Sequence, residues 1–182
     1  LNIALAGTGV GKSLFMCHVA SSCLLQGRNV LYITCEMAEE KIAERIDANL
    51  LDIPIQQLQD PLLTKQKYRA KIDVLKKKTQ GKLVIKEYPT ASAHVGHFKA
   101  LLNELSLKKG FHPEIIFVDY LNICASSRYK GTIVNSYTYV KAIAEELRGL
   151  AGEYNVPILS ATQTTRSGYG NSNVEITDTS ES

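Results

Sequence analysis

The sequence predicts an α/β fold with a mostly parallel sheet flanked by helices. Short apolar runs alternate with segments whose apolar residues recur at helical spacing, an order typical of strand–helix–strand units. The apolar runs are continuous rather than alternating, as expected of strands that are covered on both faces. With 182 residues, the chain is long enough for one domain with its own core.

Five apolar runs predict the strands of this sheet. The first run ends at a glycine-rich turn, and the fourth is almost wholly apolar and ends in an aspartate. The predicted strands cover residues 1–6, 30–35, 83–88, 115–119 and 156–162.

The segments between these runs predict helices. The first helix has Leu14, Phe15, Val19 and Leu24 on its apolar side, and Gly27 is placed to end it. The predicted helices cover residues 12–26, 38–50, 61–80, 94–107 and, capped by Ser136, residues 136–154.

Composition excludes several protein classes. Hydrophobic residues make up 45% and charged residues 21%, which is ordinary globular usage and excludes a disordered chain, collagen and a disulfide scaffold. The formal net charge of +3 is too small to argue for or against a nucleic-acid partner. The four cysteines lack zinc-site spacing, so we interpret them as reduced residues of a cytosolic protein. No apolar run approaches the roughly 20 residues of a membrane span.

A glycine-rich segment joins the first strand to the first helix. It matches the phosphate-binding P-loop pattern, with alanine at the first glycine position. Glycines let backbone N–H groups turn towards phosphate oxygens, and the helix amino terminus adds positive partial charge. Lys12 can reach the β- and γ-phosphates, and the Ser13 hydroxyl can ligate Mg²⁺. The predicted nucleotide-binding residues are Ala6, Gly7, Thr8, Gly9, Val10, Gly11, Lys12 and Ser13.

Two acidic residues at predicted strand ends are candidates for the chemistry. Asp119 ends the fourth strand, and beside a P-loop such a carboxylate helps to hold Mg²⁺. Glu36 ends the second strand, and if that strand lies beside the Asp119 strand, Glu36 can orient or deprotonate an attacking water. The alternative for Glu36 is an acid favoured by a helix amino terminus, because Glu39 and Glu40 follow closely.

Three features in the rest of the chain leave alternatives open. The amide of Gln163, after the fifth strand, can contact a γ-phosphate or can belong to an ordinary loop. The polar segment 164–179, with Arg166 and Tyr169, is either a loop that binds single-stranded DNA or a flexible terminus. The segment between positions 65 and 82 contains eight basic residues and one acidic residue. This composition favours a solvated helix face over a DNA- or partner-binding patch.

A wider resemblance is carried by four longer segments together with Glu36, Asp119 and Gln163. These segments are residues 29–52, 101–111, 115–124 and 135–151. With them, the chain resembles the RecA-like ATPase (motor) domain of DnaB-type hexameric replicative helicases, and among these the T-even phage type that works with a primase.

The resemblance implies a role for each candidate residue. Lys12 would neutralise the nucleotide phosphates, Ser13 and Asp119 would hold Mg²⁺, Glu36 would activate water, and Gln163 would sense the γ-phosphate and signal to the loop that follows it. The implied fold is a RecA-like P-loop NTPase with strand order 3-2-4-5-1.

The resemblance also implies a cellular setting. ATP or GTP would be the substrate, and the motor would move along single-stranded DNA. The full-length protein would form a homo-hexamer that works with a primase and a helicase loader. It would act in the cytoplasm of a phage-infected bacterial cell. Residues 1–182 would be the ATPase core, without the family's N-terminal domain and without the C-terminal strands that carry its arginine finger. The chain departs from many family members at Thr162, where they have serine.

Three other functions share parts of this pattern. A RecA-like recombinase or clock-type ATPase shares the core, and a strand-exchange assay separates it from a helicase. A P-loop kinase for a small molecule would need a mobile arginine-bearing lid, for which the sequence shows no obvious candidate. A non-catalytic, nucleotide-gated assembly module would not need a water-activating carboxylate such as Glu36.

Overall fold

The computed structural model describes residues 1–58, 65–129 and 135–163. Its strands are β1 (Asn2–Ala6), β2 (Val30–Thr34), β3 (Leu83–Glu87), β4 (Ile115–Asp119) and β5 (Ile158–Gln163). Its helices are α1 (Lys12–Leu25), α2 (Glu39–Leu51), α3 (Ile55–Leu58), α4 (Lys65–Lys78), α5 (Val95–Lys109) and α6 (Ser136–Glu153), with a 3₁₀ turn at Leu121–Ile123. The short α3 and the 3₁₀ turn were not predicted, because neither is long enough to show a periodic apolar pattern.

The five strands form one parallel sheet in the order β1-β5-β4-β2-β3. Read from the β3 edge, this is the predicted order 3-2-4-5-1. β4 therefore lies between β2 and β5, with Thr34 opposite Asp119 in the ladder. All five carboxyl ends meet at one edge of the sheet, where ligands of such folds bind.

The core consists of two apolar layers, one on each face of the sheet. Alternate residues of β2 point into opposite layers, Leu31 and Ile33 into one and Val30 and Tyr32 into the other. The first layer is closed by α5 and α6, and the second by α1 and α2. This confirms the prediction that both faces are covered.

The packing face of α1 differs from the predicted one. Leu14 and Phe15 are about half exposed, at 48% and 51%. The helix instead packs through a face of mostly smaller residues, which lets it approach the sheet closely: Met16, Cys17, Ala20, Ser21 and Leu24. Of the four residues predicted on the apolar side, Leu24 belongs to the observed packing face, and Val19 is partly buried beside it.

Helix ends agree with the sequence in most places. Gly27 and Gly110 adopt left-handed backbone with φ of 81° and 55° at the ends of α1 and α5. The cap of α6 is Asn135 rather than Ser136, because the Asn135 side chain accepts the N–H of Thr138 at 2.8 Å. The predicted helix 61–80 is seen as α4, and residues 59–64 lie outside the described chain.

Three cysteines, Cys17, Cys35 and Cys124, are buried as free thiols, and Cys23 is partly buried. In the described ranges, no helix combines the length and the hydropathy that crossing a membrane requires.

Candidate active site

The loop between β1 and α1 has the backbone shape that the glycines predict. Gly9 and Gly11 have φ values of 74° and 102°, a region that residues with a side chain rarely adopt. Gly11 is the N-cap of α1, and no side chain caps that end or places an acid in its first turn. The helix therefore presents free N–H groups and positive partial charge to the cleft, a combination that suits an anion.

Lys12 folds back over this loop. Its ammonium donates to the carbonyl oxygens of Gly7 at 3.0 Å and Ala6 at 3.4 Å, and it lies 5.6 Å from the centre of the Tyr120 ring. Burial lowers the pKa of Lys12, against the opposite pull of the Glu36 and Asp119 carboxylates. Lys12 is thus a partly desolvated cation within electrostatic reach of both predicted acids.

Glu36 lies in a tightly held turn just beyond the end of β2. The buried Thr34 hydroxyl donates to the carbonyl of Met37 at 2.9 Å and accepts its N–H at 3.0 Å. Cys35 continues the ladder by donating its N–H to the Asp119 carbonyl at 2.8 Å, and its own carbonyl accepts from Thr90. The backbone on both sides of Glu36 is therefore fixed, while the Glu36 side chain is exposed.

Asp119 is buried at the end of the central strand, with 1% exposure. Its Oδ2 accepts a hydrogen bond from the Tyr32 hydroxyl at 2.9 Å. Its Oδ1 has no hydrogen-bond partner among the described residues. Within that part of the chain, it is the one buried side-chain oxygen or nitrogen atom that lacks one. A buried carboxylate oxygen that no protein donor satisfies is costly unless a cation binds it, so this donor set fits a hard ion such as Mg²⁺.

Gln163 ends β5 and lies opposite Ala6, the first residue of the glycine-rich loop. The preceding Thr162 is buried and donates its hydroxyl to Asn122 Oδ1 at 2.6 Å. Asn122 belongs to the 3₁₀ turn that follows Asp119 and Tyr120. This hydrogen bond ties the end of β5 to the turn beyond β4, so the two strand ends are mechanically linked.

These elements enclose one cleft of about 260 Å³. The predicted residues Lys12, Ser13, Glu36 and Gln163 all line it, and Asp119 is buried beside it. The full lining described is Thr8, Gly9, Gly11, Lys12, Ser13, Leu14, Glu36, Met37, Arg45 and Gln163. The fold has therefore brought together residues that are up to 155 positions apart in sequence.

Sequence reasoning did not single out several residues in or beside the cleft. Arg45 lines the cleft from α2, the Tyr32 hydroxyl donates a hydrogen bond to Asp119, and the Tyr120 ring lies near the Lys12 ammonium. Burial and the Asp119 charge raise the pKa of Tyr32 far above its usual value, so its hydroxyl stays a donor. The one available signal for Tyr32 was a tyrosine in the middle of a buried strand, since a buried phenol needs a hydrogen-bond partner.

None of the other predicted features is among the described residues that line this cleft. Arg166 and Tyr169 fall in residues 164–182, outside the described chain. The basic segment forms α4, on which Arg69, Lys71 and Lys76 are exposed to solvent. His94 and His97 serve the amino terminus of α5: His94 Nδ1 accepts from the N–H of Gly96 at 3.0 Å, and His97 Nδ1 accepts from the N–H of His94 at 3.2 Å.

Comparison with known proteins gives matches over nearly the whole chain. The chain is 48% identical over 183 residues to the DnaB-like replicative helicase of Enterobacteria phage T4, covering 100% of this chain and 38% of that protein. It is 29% identical over 167 residues to a probable plasmid replicative DNA helicase of Chlamydia trachomatis, covering 90% of this chain and 35% of that protein. The chain thus spans little more than a third of the length of these relatives.

The fold is also shared with solved structures. A structure described as a DnaB-like replicative helicase and its interactions with primase superposes with a TM-score of 0.72 at 17% identity, over 97% of this chain and 42% of that one. A solved ATPase domain superposes with a TM-score of 0.74 at 17% identity, over 97% of this chain and 62% of that one. The family model for the DnaB-like helicase C terminal domain matches residues 1–176, and the chain belongs to this family.

Proposed function

We propose that this chain is the NTP-hydrolysing motor of a replicative DNA helicase, which uses ATP or GTP with Mg²⁺ to move along single-stranded DNA and unwind duplex DNA at a replication fork. The observation that carries the proposal is one cleft in which the glycine-rich loop faces Glu36 and Gln163, with Asp119 at the end of the strand between theirs. Family membership supports the same conclusion.

The residues divide the work of phosphate hydrolysis. Backbone N–H groups of Gly7 to Ser13 and the ammonium of Lys12 bind the phosphate oxygens. Ser13 and Asp119 hold Mg²⁺, which when bound neutralises the charge that develops on the phosphates. Lys12 changes its partners from the carbonyls of Ala6 and Gly7 to the nucleotide.

Glu36 orients and deprotonates the attacking water. Thr34 and Thr90 hold the backbone on either side of Glu36, while the Glu36 side chain stays accessible to water. Gln163 contacts the γ-phosphate, and its hydrogen-bonded neighbour Thr162 passes the loss of that phosphate to the turn after Asp119.

The wider assembly is part of the proposal. The segment after Gln163, with Arg166 and Tyr169, contacts single-stranded DNA through phosphate contacts and base stacking. The full-length protein forms a homo-hexamer and works with a primase and a helicase loader in the cytoplasm of a phage-infected bacterial cell. Support comes from the phage relative and from the solved DnaB-like helicase that is described with its interactions with primase.

The role of Glu36 is tested by Glu36→Gln, which keeps the shape and removes the base. We expect hydrolysis to fall by about 10²–10⁴-fold with nucleotide affinity retained, because general-base catalysis is worth that much. Glu40→Gln, an exposed acid in the first turn of α2, is the matched control and should keep full activity. A fully active Glu36→Gln protein would contradict the assigned role.

The helicase function is tested by measuring NTP hydrolysis with and without single-stranded DNA. Strong stimulation supports a translocating motor, whereas hydrolysis that is indifferent to DNA points to another RecA-like ATPase. Strand exchange without unwinding would identify a recombinase. Transfer of phosphate to a small acceptor in place of water would identify a kinase.

A further inference from the structure

Tyr32 lies beneath the candidate active site and has no exposed surface. Its hydroxyl donates to Asp119 Oδ2 at 2.9 Å and accepts from the Cys17 thiol at 3.8 Å. Cys17 lies on α1, Tyr32 on β2 and Asp119 on β4. The chain Cys17–Tyr32–Asp119 therefore connects the three elements that carry the glycine-rich loop, Glu36 and the end of the central strand.

The Tyr32 ring is held in place by its neighbours. It stacks on Phe117 with ring centres 5.6 Å apart and planes inclined by 9°, and both rings are fully buried. A phenol has one proton to donate, and here that proton is committed to Asp119. The direction of the hydroxyl is thus set by packing rather than by solvent.

Because Tyr32 donates a single hydrogen bond, the two carboxylate oxygens of Asp119 have different environments. Oδ2 is hydrogen-bonded, whereas Oδ1 is buried with no partner among the described residues. A carboxylate that is held by one oxygen cannot rotate freely about its bond to Cβ. The Oδ1 atom is consequently presented in one orientation.

We propose that Tyr32 is a positioning residue for Asp119: its hydroxyl anchors Oδ2 so that Oδ1 is oriented to ligate the divalent cation. The inference rests on the metal role of Asp119 in the proposed function. Tyr32 touches neither the cation nor the nucleotide. Partners that orient a metal ligand in this way typically contribute 10–100-fold to metal affinity.

The test is metal binding to Tyr32→Phe, which removes the hydroxyl and keeps the ring. Free Mn²⁺ is measured by electron paramagnetic resonance while purified protein with a non-hydrolysable ATP analogue is titrated. We expect the dissociation constant for Mn²⁺ to rise about 10–100-fold. Nucleotide affinity in the presence of a chelator should change less than about twofold, which a general loss of structure would not allow.

Tyr154→Phe is the matched control. It also removes a tyrosine hydrogen bond, to Asn103 Oδ1 at 3.2 Å, but it lies just beyond α6 at the amino-terminal edge of the sheet. Its Mn²⁺ affinity should equal that of the unmodified protein. Thermal melting of each variant identifies a temperature at which all of them are folded, and the titrations are made there.

A double-mutant cycle with Asp119→Asn separates positioning from a structural effect. If Tyr32 acts through Asp119, adding Tyr32→Phe to Asp119→Asn leaves the Mn²⁺ affinity unchanged, whereas additive losses overturn the inference. Normal Mn²⁺ affinity in Tyr32→Phe, with a loss in Asp119→Asn, also overturns it but leaves the proposed function intact. Normal affinity in Asp119→Asn would overturn the metal role of Asp119 itself.

Discussion

Asp119 and Glu146 are the two buried acidic residues of the described chain, with 1% and 8% exposure, and the protein surrounds them in opposite ways. Glu146, on α6, accepts the Ser126 hydroxyl at 2.7 Å, the Ser127 hydroxyl at 2.8 Å and the backbone N–H of Ser127 at 3.0 Å. Asp119 has one such donor, Tyr32, and one oxygen with none.

The difference separates a structural carboxylate from one suited to a ligand. Both oxygens of Glu146 are satisfied by the turn at residues 126–128, so this charge stabilises the folded state without outside help. Asp119 retains one buried oxygen, Oδ1, that no donor of the described residues satisfies. Such an imbalance is typical of functional sites, where stability is given up for binding.

The substitution Asp119→Asn is expected to have the largest effect on activity, and it tests the contrast between Asp119 and Glu146 directly. If Asp119 is a metal ligand as proposed, its loss should reduce NTP hydrolysis by about 100-fold or more, because a bound metal contributes several kcal/mol to the transition state. In a chelating buffer the same variant should melt no lower than the unmodified protein, since it removes a buried charge that has one unsatisfied oxygen while Tyr32 keeps an acceptor. Asp73→Asn, on the exposed face of α4, is the control.

If Asp119→Asn instead hydrolysed NTP within about threefold of normal, the contrast between the two carboxylates would lose its functional meaning. Steady-state hydrolysis and calorimetric melting with and without Mg²⁺ provide both readouts.

A smaller and opposite effect is expected from Glu146→Gln. The amide cannot accept from all the donors of the 126–128 turn, so the free energy of unfolding should fall by about 2 kcal/mol in urea titration. Mn²⁺ affinity should not change. Glu145→Gln is the neighbouring control, because Glu145 forms an exposed ion pair with Arg128 that is worth less than about 1 kcal/mol. Equal stability of Glu146→Gln and the unmodified protein would contradict the structural role.

The smallest effect is a pH dependence of that stability difference. Burial pushes the pKa of Glu146 upward, but the hydrogen bonds from Ser126, Ser127 and Arg128 outweigh it and hold the pKa below its usual value of 4.5. A carboxyl whose folded pKa is depressed stabilises the protein above its unfolded pKa and loses that contribution as pH falls through its folded pKa. The stability advantage over Glu146→Gln should therefore be constant above about pH 5.5 and shrink below pH 4.5. Urea titrations of both proteins across this range measure it, and an advantage that grows on acidification would refute the assignment.

Much of the site followed from local sequence. The glycine-rich loop was predictable because Gly9 and Gly11 need a backbone that other residues avoid, and Lys12 and Ser13 follow directly at the start of a helix. The strands were predictable because continuous apolar runs leave few alternatives in a chain of this length. Asp119 and Glu36 were found as acids at the ends of such runs.

Long-range contacts explain what was missed. The apolar side of α1 was misassigned because Leu14 and Phe15 are more hydrophobic than Cys17, Ala20 and Ser21, yet the close approach of helix to sheet favours small side chains. Arg45 lines the cleft only because α2 packs against α1 beside the loop. No periodicity within α2 indicates which of its polar residues faces a ligand.

The α/β class, the five strands, the glycine-rich loop and the acids at the strand ends were predictable from sequence alone, because each depends on backbone preference or on the order of neighbouring residues. The tertiary structure decided which acid is satisfied and which is not. Hydrogen-bond partners of Asp119 and Glu146 lie 87 and 18–20 positions away, in β2 and in the turn at residues 126–128. Whether a buried charge is compensated depends on the distance to such partners, and only the packed sheet and helices set that distance.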